Sequence, residues 1–220
     1  RILMYSYIEE CCNDPGRKNL LVSPGNFEAQ LKYLADNGWT TISLDEVSAG
    51  LRDPKILPAK PVVLTFDDGY TDFFYQAWPI IQKYRVKATI YVLSRGAAIA
   101  PGFYMSEAQI VELSRSPLIT VAAHTQDHRD LKALNETFQR QEILGSKQAL
   151  ESLIGKPVRH FAYPYGDFNE SALKIVKEAG YDTAAATVIG TRNNESTRFT
   201  LRRVRIGNLP VSWFAAQLAK

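Results

Sequence analysis

Short runs of apolar residues alternate with longer amphipathic stretches along the chain. The short runs have the length and the β-branched or aromatic content of buried strands, and the longer stretches repeat apolar residues at helical spacing, as Phe27, Leu31 and Leu34 do. Ser43 and Glu46 have the spacing of a helix capping box. The pattern predicts strands at 2–5, 39–42, 61–67, 87–93, 118–123, 158–162, 181–186 and 200–206, helices at 23–37, 44–51, 74–84, 106–114, 135–154, 169–179 and 211–219, and loops at 11–23 and 95–102.

This regular alternation of strand and helix indicates an α/β fold with a parallel sheet and crossover helices. The number of strands and the length of 220 residues favour closure of the sheet over an open sheet. The sequence shows no internal repeat, linker or break in composition. We therefore expect a single distorted (β/α) TIM-like barrel with about seven to eight parallel strands.

Composition and charge exclude several other classes of protein. The apolar fraction of 45% and charged fraction of 22% are ordinary for a folded domain. The net charge of +3, without a basic run, gives no reason to expect a nucleic-acid partner. No apolar run reaches the roughly 18 residues of a membrane-spanning helix, and no signal segment is visible. The neighbouring Cys11 and Cys12 form no metal-binding pattern and leave the redox compartment open.

Two adjacent carboxylates, Asp67 and Asp68, follow the predicted strand that begins at Pro61. Two like charges side by side at a strand end are costly unless a positive group lies next to them, and a divalent cation commonly fills that role. The alternative is an ordinary Asp-Asp-Gly turn on the surface. In a parallel barrel, however, the carboxyl ends of the strands are where catalytic residues collect.

Two of the three histidines, His124 and His128, follow another predicted strand end, four residues apart. On one helical turn this spacing would point both imidazoles in the same direction, a common way of holding one metal ion. The alternative is a pair of surface histidines in a loop. Two histidines plus one carboxylate, with positions left open, describe a catalytic metal site rather than a closed structural one.

A third strand end leads into Tyr163-Pro164-Tyr165-Gly166. Proline lacks an N–H and glycine allows a tight bend, so this turn can leave nearby backbone N–H groups facing a ligand. Such an aromatic loop suits the stacking of a sugar and the stabilisation of an oxyanion. Aromatic-Pro-Gly turns are common, so this motif is weak evidence by itself.

Taken together, Thr65–Gly69, His124–His128 and Tyr163–Gly166 resemble the first three motifs of the polysaccharide deacetylases, which are carbohydrate esterase family 4 with its NodB-homology domain. The order of the motifs and their spacing match the family. The resemblance extends from Ile2 to the last helix and implies that residues 1–220 form one such domain.

The resemblance also implies a role for each motif residue. Asp68, His124 and His128 would bind one divalent metal ion, zinc in the first place, with cobalt or nickel as alternatives. Asp67 would be the general base that takes a proton from the attacking water, and the backbone N–H of Tyr165 would stabilise the oxyanion. The products would be acetate and a free amine on the sugar.

The chain departs from the family pattern at several positions. Many members carry an arginine that orients the base two residues before the motif-three proline, where this chain has Ala162. The late histidine that serves as general acid is missing from strand 200–206, which leaves His160 as the remaining candidate, with a packed strand residue as the alternative. The partners of the ligand histidines' second ring nitrogens are expected among Asp72, Asp127 and Asp130.

The opening Met4-Tyr5, the form of residues 161–166 and the arginine-rich strand 200–206 resemble one branch of the family. That branch deacetylates the biofilm polymer poly-β-1,6-N-acetylglucosamine. Three alternatives stay open. The chain could deacetylate peptidoglycan or chitin oligomers, act as an O-acetyl esterase on xylan, or be a carbohydrate-binding module that retains the fold with little turnover.

Four further residues are candidates for contact with the substrate or with a membrane surface. Tyr70, Tyr163 and Pro164 would contact the polysaccharide, and Trp213 could contact a sugar or a membrane surface from an apolar patch. Burial in the last helix explains Trp213 equally well. A monomer that is extracellular or associated with the cell surface is expected, with a polymer of N-acetylglucosamine (GlcNAc) as its partner.

Overall fold

The computed structural model of the chain describes residues 1–10 and 16–219. The residues 11–15, which include Cys11 and Cys12, lie outside the described residues, so the first part of the predicted loop 11–23 is not tested. Across the two described ranges, no helix combines the length and the apolar character needed to cross a membrane.

Ten strands and eight helices build the described chain. The strands are β1 (Ile2–Tyr5), β2 (Tyr7–Ile8), β3 (Leu21–Val22), β4 (Thr40–Thr41), β5 (Pro61–Phe66), β6 (Ala88–Val92), β7 (Ile119–Ala123), β8 (His160–Ala162), β9 (Thr183–Ile189) and β10 (Leu201–Arg205). The helices are α1 (Pro24–Asp36), α2 (Leu44–Arg52), α3 (Trp78–Tyr84), α4 (Gly96–Ile99), α5 (Glu107–Ser114), α6 (Glu136–Ile154), α7 (Glu170–Glu178) and α8 (Val211–Ala219).

Seven of these strands close into a parallel barrel. The order around the ring is β1-β10-β9-β8-β7-β6-β5, and β1 closes it by pairing with both β10 and β5. The strand predicted at 39–42 is reduced to the two residues of β4, which pair with the beginning of β5 outside the ring. The predicted (β/α) barrel is therefore confirmed, with seven strands in the closed sheet.

Local sequence signals explain where several helices begin and end. The side chain of Ser43 accepts a hydrogen bond from the N–H of Glu46 and the carboxylate of Glu46 accepts one from the N–H of Ser43, which is the predicted capping box of α2. Gly155 ends α6 in the left-handed region, at φ 65°. Pro79 lies in the first turn of α3, where its missing N–H costs no intrahelical hydrogen bond.

Three elements escaped the sequence pattern because they are very short. The loop predicted at 95–102 contains the four-residue helix α4. Near the chain start, β2 and β3 pair in parallel as a separate two-stranded sheet. A two-residue strand offers no periodicity to read, since its existence depends on its partner rather than on its own sequence.

The core has two layers that together fix the carboxyl ends of the strands. One apolar layer fills the barrel, where β7, β8 and β9 contribute the small side chains Ala122, Ala162 and Ala185 opposite the large Tyr91. The other layer lies between the barrel and its surrounding helices. Because the strands are parallel, residues that follow β5, β7 and β8 meet at the same end of the barrel.

Candidate active site

Asp68, His124 and His128 meet at the carboxyl end of the barrel. Asp68 follows β5, and the two histidines belong to the loop after β7. The Nε2 atoms of His124 and His128 lie 3.2 Å and 3.1 Å from the same oxygen, Oδ1 of Asp68. The candidate ligand atoms of the three residues all lie within 4.8 Å of one another. The structure thus brings together the three residues that the sequence predicted as metal ligands.

The surroundings of His124 decide which ring nitrogen is available to a metal. Its Nδ1 lies 2.8 Å from the backbone carbonyl oxygen of Ala162, so Nδ1 carries the proton and donates. Nε2 then faces Oδ1 of Asp68, and although burial acts to lower the pKa of His124, the Asp68 carboxylate outweighs it and raises that pKa. The second nitrogen of His124 is therefore held by a backbone carbonyl, and the expectation of a carboxylate from Asp72, Asp127 or Asp130 is wrong for this histidine.

Oδ1 of Asp68 is buried and has no hydrogen-bond partner among the described residues. An unsatisfied carboxylate oxygen that faces imidazole nitrogens costs free energy unless a cation lies between them. Burial acts to raise the pKa of Asp68, but the neighbouring His124 and His128 outweigh it and hold that pKa far below its usual range. Asp68 is thus an ionised ligand, and this donor set fits a divalent cation that accepts nitrogen and oxygen ligands.

The His124–His128 segment is a loop and does not form the helical turn expected from its spacing. Thr125 and His128 have φ angles of 70° and 57°, in the left-handed region that few non-glycine residues adopt. The N–H of His128 donates to Oγ1 of Thr125 at 3.1 Å and so closes the loop. The two imidazoles converge because of this folded loop rather than because of helical periodicity.

Glu142 on α6 anchors the same loop from behind, and the sequence analysis missed it. One oxygen of its buried carboxylate, Oε2, accepts hydrogen bonds from the N–H groups of Gln126 and Asp127 at 2.9 Å and 3.1 Å. Gly145 on the same helix lets the Gln126 side chain approach, because a Cβ there would lie 1.7 Å from Nε2 of Gln126. The sequence signal that pointed to Glu142 was a glutamate on the buried face of a long helix.

Asp67 is held by a buried arginine from the last strand. The guanidinium of Arg203 donates to both carboxylate oxygens of Asp67, at 2.6 Å and 2.9 Å, in a bidentate pair. The Arg203 side chain is fully buried, and its other contacts are the carbonyl of Ala186 and the hydroxyl of Thr65. Burial acts to lower the pKa of Arg203, but Asp67 raises it, so the guanidinium stays charged.

Arg203 therefore makes the contact with the base that was expected of an arginine at position 162, where this chain has Ala162. Its neighbours Arg202 and Arg205 point to solvent, so only one arginine of β10 faces the barrel interior. The register between β9 and β10 shifts between Leu201 and Arg203, which brings the carbonyl of Ala186 into reach of Nε of Arg203. This shift in register is a β-bulge, and the alternation of side chains along a strand does not reveal it.

Tyr165 lies at the rim of the cluster. Its ring centroid is 4.6 Å from that of His128, its side chain is 62% exposed, and its φ is 59°. Gly166, at φ 74°, leaves no room for a Cβ beside Thr187, whose hydroxyl donates to the carbonyl of Tyr165. The turn is thus packed closely against β9 and holds the Tyr165 ring beside that of His128.

The other two residues of this turn do not face a substrate. Tyr163 is fully buried, stacks on Phe168 and donates from its hydroxyl to the carbonyl of Phe199. Pro164 is buried as well. The prediction that Tyr163 and Pro164 contact the polysaccharide is therefore wrong, because the turn uses them to pack against the core.

Tyr70, two residues after Asp68, belongs to a stack of rings beside the cluster. Its ring centroid lies 4.2 Å from that of Tyr7 and 5.3 Å from that of Tyr104, both nearly parallel to it. Burial and the nearby Asp68 carboxylate raise the pKa of Tyr70, so its hydroxyl stays protonated. Tyr70 thus lies beside the cluster, and its contact with the polysaccharide stays a prediction.

Trp213 lies elsewhere, half-buried in α8. It lines a separate cavity of about 620 Å³ with Leu209, Arg205, Lys18 and Glu10. The structure thus does not bring Trp213 together with Asp68 and the histidines, and a role for it in sugar binding stays a prediction.

His160 lies at the opposite end of the barrel, at the start of β8. Its Nδ1 pairs with Oγ1 of Thr183 at 2.9 Å, and its Nε2 lies 3.3 Å from Oδ1 of Asp45 in the first turn of α2. Both ring nitrogens therefore have partners at the amino ends of the strands. The hypothesis that His160 is the general acid is corrected: it is the packed strand residue of the alternative interpretation.

Comparison with known proteins agrees with this geometry. The family model described as polysaccharide deacetylase matches residues 55–184. A Bacillus subtilis protein named "Putative polysaccharide deacetylase YxkH" is 34% identical over 205 residues, which cover 93% of this chain and 70% of that protein. The solved structure of the Streptococcus pyogenes deacetylase PplD in complex with acetate superposes with a TM-score of 0.92 at 29% identity and covers 99% of this chain and 96% of that one.

The chain belongs to the polysaccharide deacetylase family. It is also similar to the poly-β-1,6-N-acetyl-D-glucosamine N-deacetylase of Escherichia coli, at 26% identity over 230 residues that cover 86% of this chain. That match spans only 34% of the length of the Escherichia coli enzyme, so it concerns about a third of that protein.

Proposed function

We propose that the chain is a metal-dependent hydrolase that removes N-acetyl groups from a GlcNAc polysaccharide, with poly-β-1,6-N-acetylglucosamine as the preferred polymer. The observation that carries the proposal is the convergence of Asp68, His124 and His128 on one unsatisfied carboxylate oxygen, next to a second carboxylate, Asp67, that an arginine orients. Membership of the deacetylase family supports the reaction class.

Asp68, His124 and His128 would hold the metal ion. A divalent cation bound there, zinc in the first place, would polarise the acetamide carbonyl and lower the pKa of water. Asp68 is ionised, and the contact of Nδ1 of His124 with the carbonyl of Ala162 leaves Nε2 as the ring nitrogen that faces the site.

Asp67 would act as the general base. Arg203 holds both of its oxygens from the side of the barrel interior, which fixes the plane of the carboxylate and leaves its remaining lone pairs for the proton of the attacking water. The backbone N–H of Tyr165, held at the rim by the packed turn, would donate to the oxyanion.

The choice of polymer rests on two lines of support. The Escherichia coli relative and a Staphylococcus aureus relative, which is 27% identical over 175 residues, both carry the name poly-β-1,6-N-acetyl-D-glucosamine N-deacetylase. The departures from the family pattern, Ala162 and the arginine-rich β10, resemble the same branch. A substrate of this kind lies outside the cell, so we also propose that the protein acts as an extracellular or surface-associated enzyme.

The alternative of a binding module with little turnover rested partly on the missing arginine. The bidentate contact between Arg203 and Asp67 removes that reason, because the base is oriented from another strand. A module that only binds sugar would have no need for a buried ion pair at this position, since a buried pair is costly to build.

Acetate release from β-1,6-linked and β-1,4-linked GlcNAc oligomers tests the proposal. The protein is assayed after chelation and again with zinc, cobalt or nickel restored, and acetylated xylan serves as the third substrate. We expect metal-dependent release that is fastest from the β-1,6 oligomer. Faster release from β-1,4 oligomers or xylan would contradict the proposed polymer, and no release with any of the metals, despite metal binding, would contradict the enzymatic function.

A further inference from the structure

A groove of about 500 Å³ opens on the outer side of the ring stack that contains Tyr70. It lies between the segment that follows Asp68 and the loop that leads into α5. Its lining includes the aromatic Phe74, Tyr75 and Tyr104 and the polar Thr71, Gln109 and Glu112. We call it the Tyr75 groove. Its volume falls within the range of roughly 300–1,000 Å³ that is usual for small-molecule sites.

The Tyr75 groove is joined firmly to the candidate active site. Tyr104 lines the groove and stacks on Tyr70 at 5.3 Å, and Tyr70 lies beside Asp68. The N–H of Met105 donates to the carbonyl of Gly69 at 2.9 Å. The floor of the groove is therefore tied through the backbone to the strand end that carries both candidate catalytic carboxylates.

Tyr75 is the most exposed ring of the groove, with 62% of its surface accessible. It lies in the π-helical turn Phe73–Ala77, which precedes α3. Such turns are uncommon and are frequent at functional sites. The wider turn carries Tyr75 on the outside of the chain while Phe73 and Ala77 stay buried. The exposed ring of Tyr75 is thus accessible to a ligand that enters the groove.

The polar residues of the groove suit hydroxyl groups. Oε1 of Gln109 accepts hydrogen bonds from Ser106, which orients the side-chain amide so that Nε2 is the end that can donate to a ligand. The carboxylate of Glu112 supplies an acceptor on the same helix. A pyranose ring presents C–H groups on its faces and hydroxyl groups at its edge, and the Tyr75 groove offers a partner for each.

We propose that the Tyr75 groove is a second saccharide-binding subsite, which holds a sugar unit of the polymer away from the unit that reacts at Asp67. The inference rests on the proposed function for its choice of ligand. Such a subsite would increase the affinity for long chains over short ones, because a longer chain has more sugar units with which to occupy the groove and the reaction centre together.

The experiment compares a GlcNAc dimer and hexamer, of the linkage that the enzyme prefers, as substrates of the metal-loaded protein. For Tyr75→Ala we expect the ratio of kcat/KM for the hexamer to kcat/KM for the dimer to fall about tenfold, through KM rather than kcat. Tyr75→Phe keeps the ring and should keep most of the ratio. Ile56→Ala, which truncates a side chain with 57% exposure outside the groove, is the matched control. An unchanged ratio in Tyr75→Ala would overturn the subsite.

A binding measurement separates this inference from the proposed function. The hexamer is titrated by calorimetry into the metal-loaded Asp67→Asn variant, with and without Tyr75→Ala. A Kd about tenfold weaker in the double variant supports the subsite even if the parent protein releases no acetate, which would contradict only the proposed reaction. Equal Kd values in the two variants would overturn the subsite whatever the activity of the parent.

Discussion

Both ends of the barrel place a histidine beside a carboxylate. At the carboxyl end, His124 and His128 lie 3.2 Å and 3.1 Å from Asp68. At the amino end, His160 lies 3.3 Å from Asp45. The residue types and the distances are nearly the same, yet only the carboxyl end has the properties of a metal site.

The difference lies in what else the side chains contact. The Asp45 side chain is 56% exposed, so water can solvate it, and Thr183 occupies the second nitrogen of His160. Oδ1 of Asp68 is buried without a hydrogen-bond partner among the described residues. A histidine–carboxylate contact therefore indicates a binding site when it leaves a buried atom unsatisfied, and a structural contact when every polar atom has a partner.

The largest difference between the two ends should appear on loss of a metal ligand. Asp68→Ala and His128→Ala should each lower zinc affinity and acetate release by more than about a hundredfold, because each removes one of the three candidate ligands that the described residues offer. His160→Gln should retain bound zinc. Metal content after dialysis, measured by mass spectrometry, checks both; loss of zinc from His160→Gln would contradict the comparison.

Asp67→Asn should separate chemistry from metal binding at the carboxyl end. The variant keeps the shape of the side chain but cannot accept a proton, so we expect activity to fall by about 10²–10⁴-fold with zinc content unchanged. Acetate release and metal content are measured on the same sample. Near-normal turnover would show that Asp67 is not the base.

Arg203→Met tests the buried pair that supports the base. Removal of the guanidinium leaves the Asp67 carboxylate buried without its counter-ion, which should cost about 3–5 kcal/mol of unfolding free energy in addition to lost activity. Arg202→Met, at an exposed neighbour on the same strand, should change stability by no more than about 0.5 kcal/mol. Denaturant unfolding compares the two, and equal stabilities would refute the role of Arg203.

Glu142→Gln tests the anchor behind the histidine loop. One of its side-chain oxygens now accepts two backbone N–H groups as a charged acceptor, so its neutral replacement should loosen the loop and weaken zinc binding by about 10–100-fold. Glu136→Gln, at an exposed position of the same helix, is the control. Competition with a chelator gives both zinc affinities, which should differ if the anchor matters.

The smallest effect is expected at the amino end. The hydrogen bond from His160 lowers the pKa of Asp45 against the opposing effect of burial. A carboxylate with a lowered pKa stabilises the fold above its unfolded pKa, near 4, and this contribution disappears as the pH falls through the lower folded value. Because Asp45 is largely exposed, Asp45→Asn should cost only about 0.5 kcal/mol at neutral pH. The difference in unfolding free energy between the two proteins should therefore shrink as the pH falls from 7 to below 4, which unfolding curves across this pH range would check.

The fold could be predicted well because its signals are local. Apolar runs, capping boxes and helix-ending glycines such as Gly155 carry their information within a few residues. The short β4 was predicted too long, since its length depends on how much of β5 it can pair with. The π-helical turn before Pro79 and the bulge of β9 were beyond reach, because packing rather than propensity determines both.

The residues of the candidate site also divide into those with a local signal in the sequence and those without one. Asp68, His124 and His128 could be found because strand ends and spacing are visible in the sequence. Glu142 and Arg203 could not, because each contact crosses from an element whose orientation is set by the barrel. The hypothesis of His160 as general acid failed for a related reason, since the sequence places it in β8 but does not show that it begins the strand.

The closure of the barrel by β1 and β10 has a consequence for synthesis on the ribosome. Arg203 emerges 75 residues after His128, so roughly 4–15 s separate the last metal ligand from the partner of Asp67 at ordinary translation rates. During that interval the nascent chain holds all three metal ligands while the ring stays open and an edge of β1 is unpaired. The growing protein thus acquires its candidate cation-binding residues first and the counter-charge of Asp67 last.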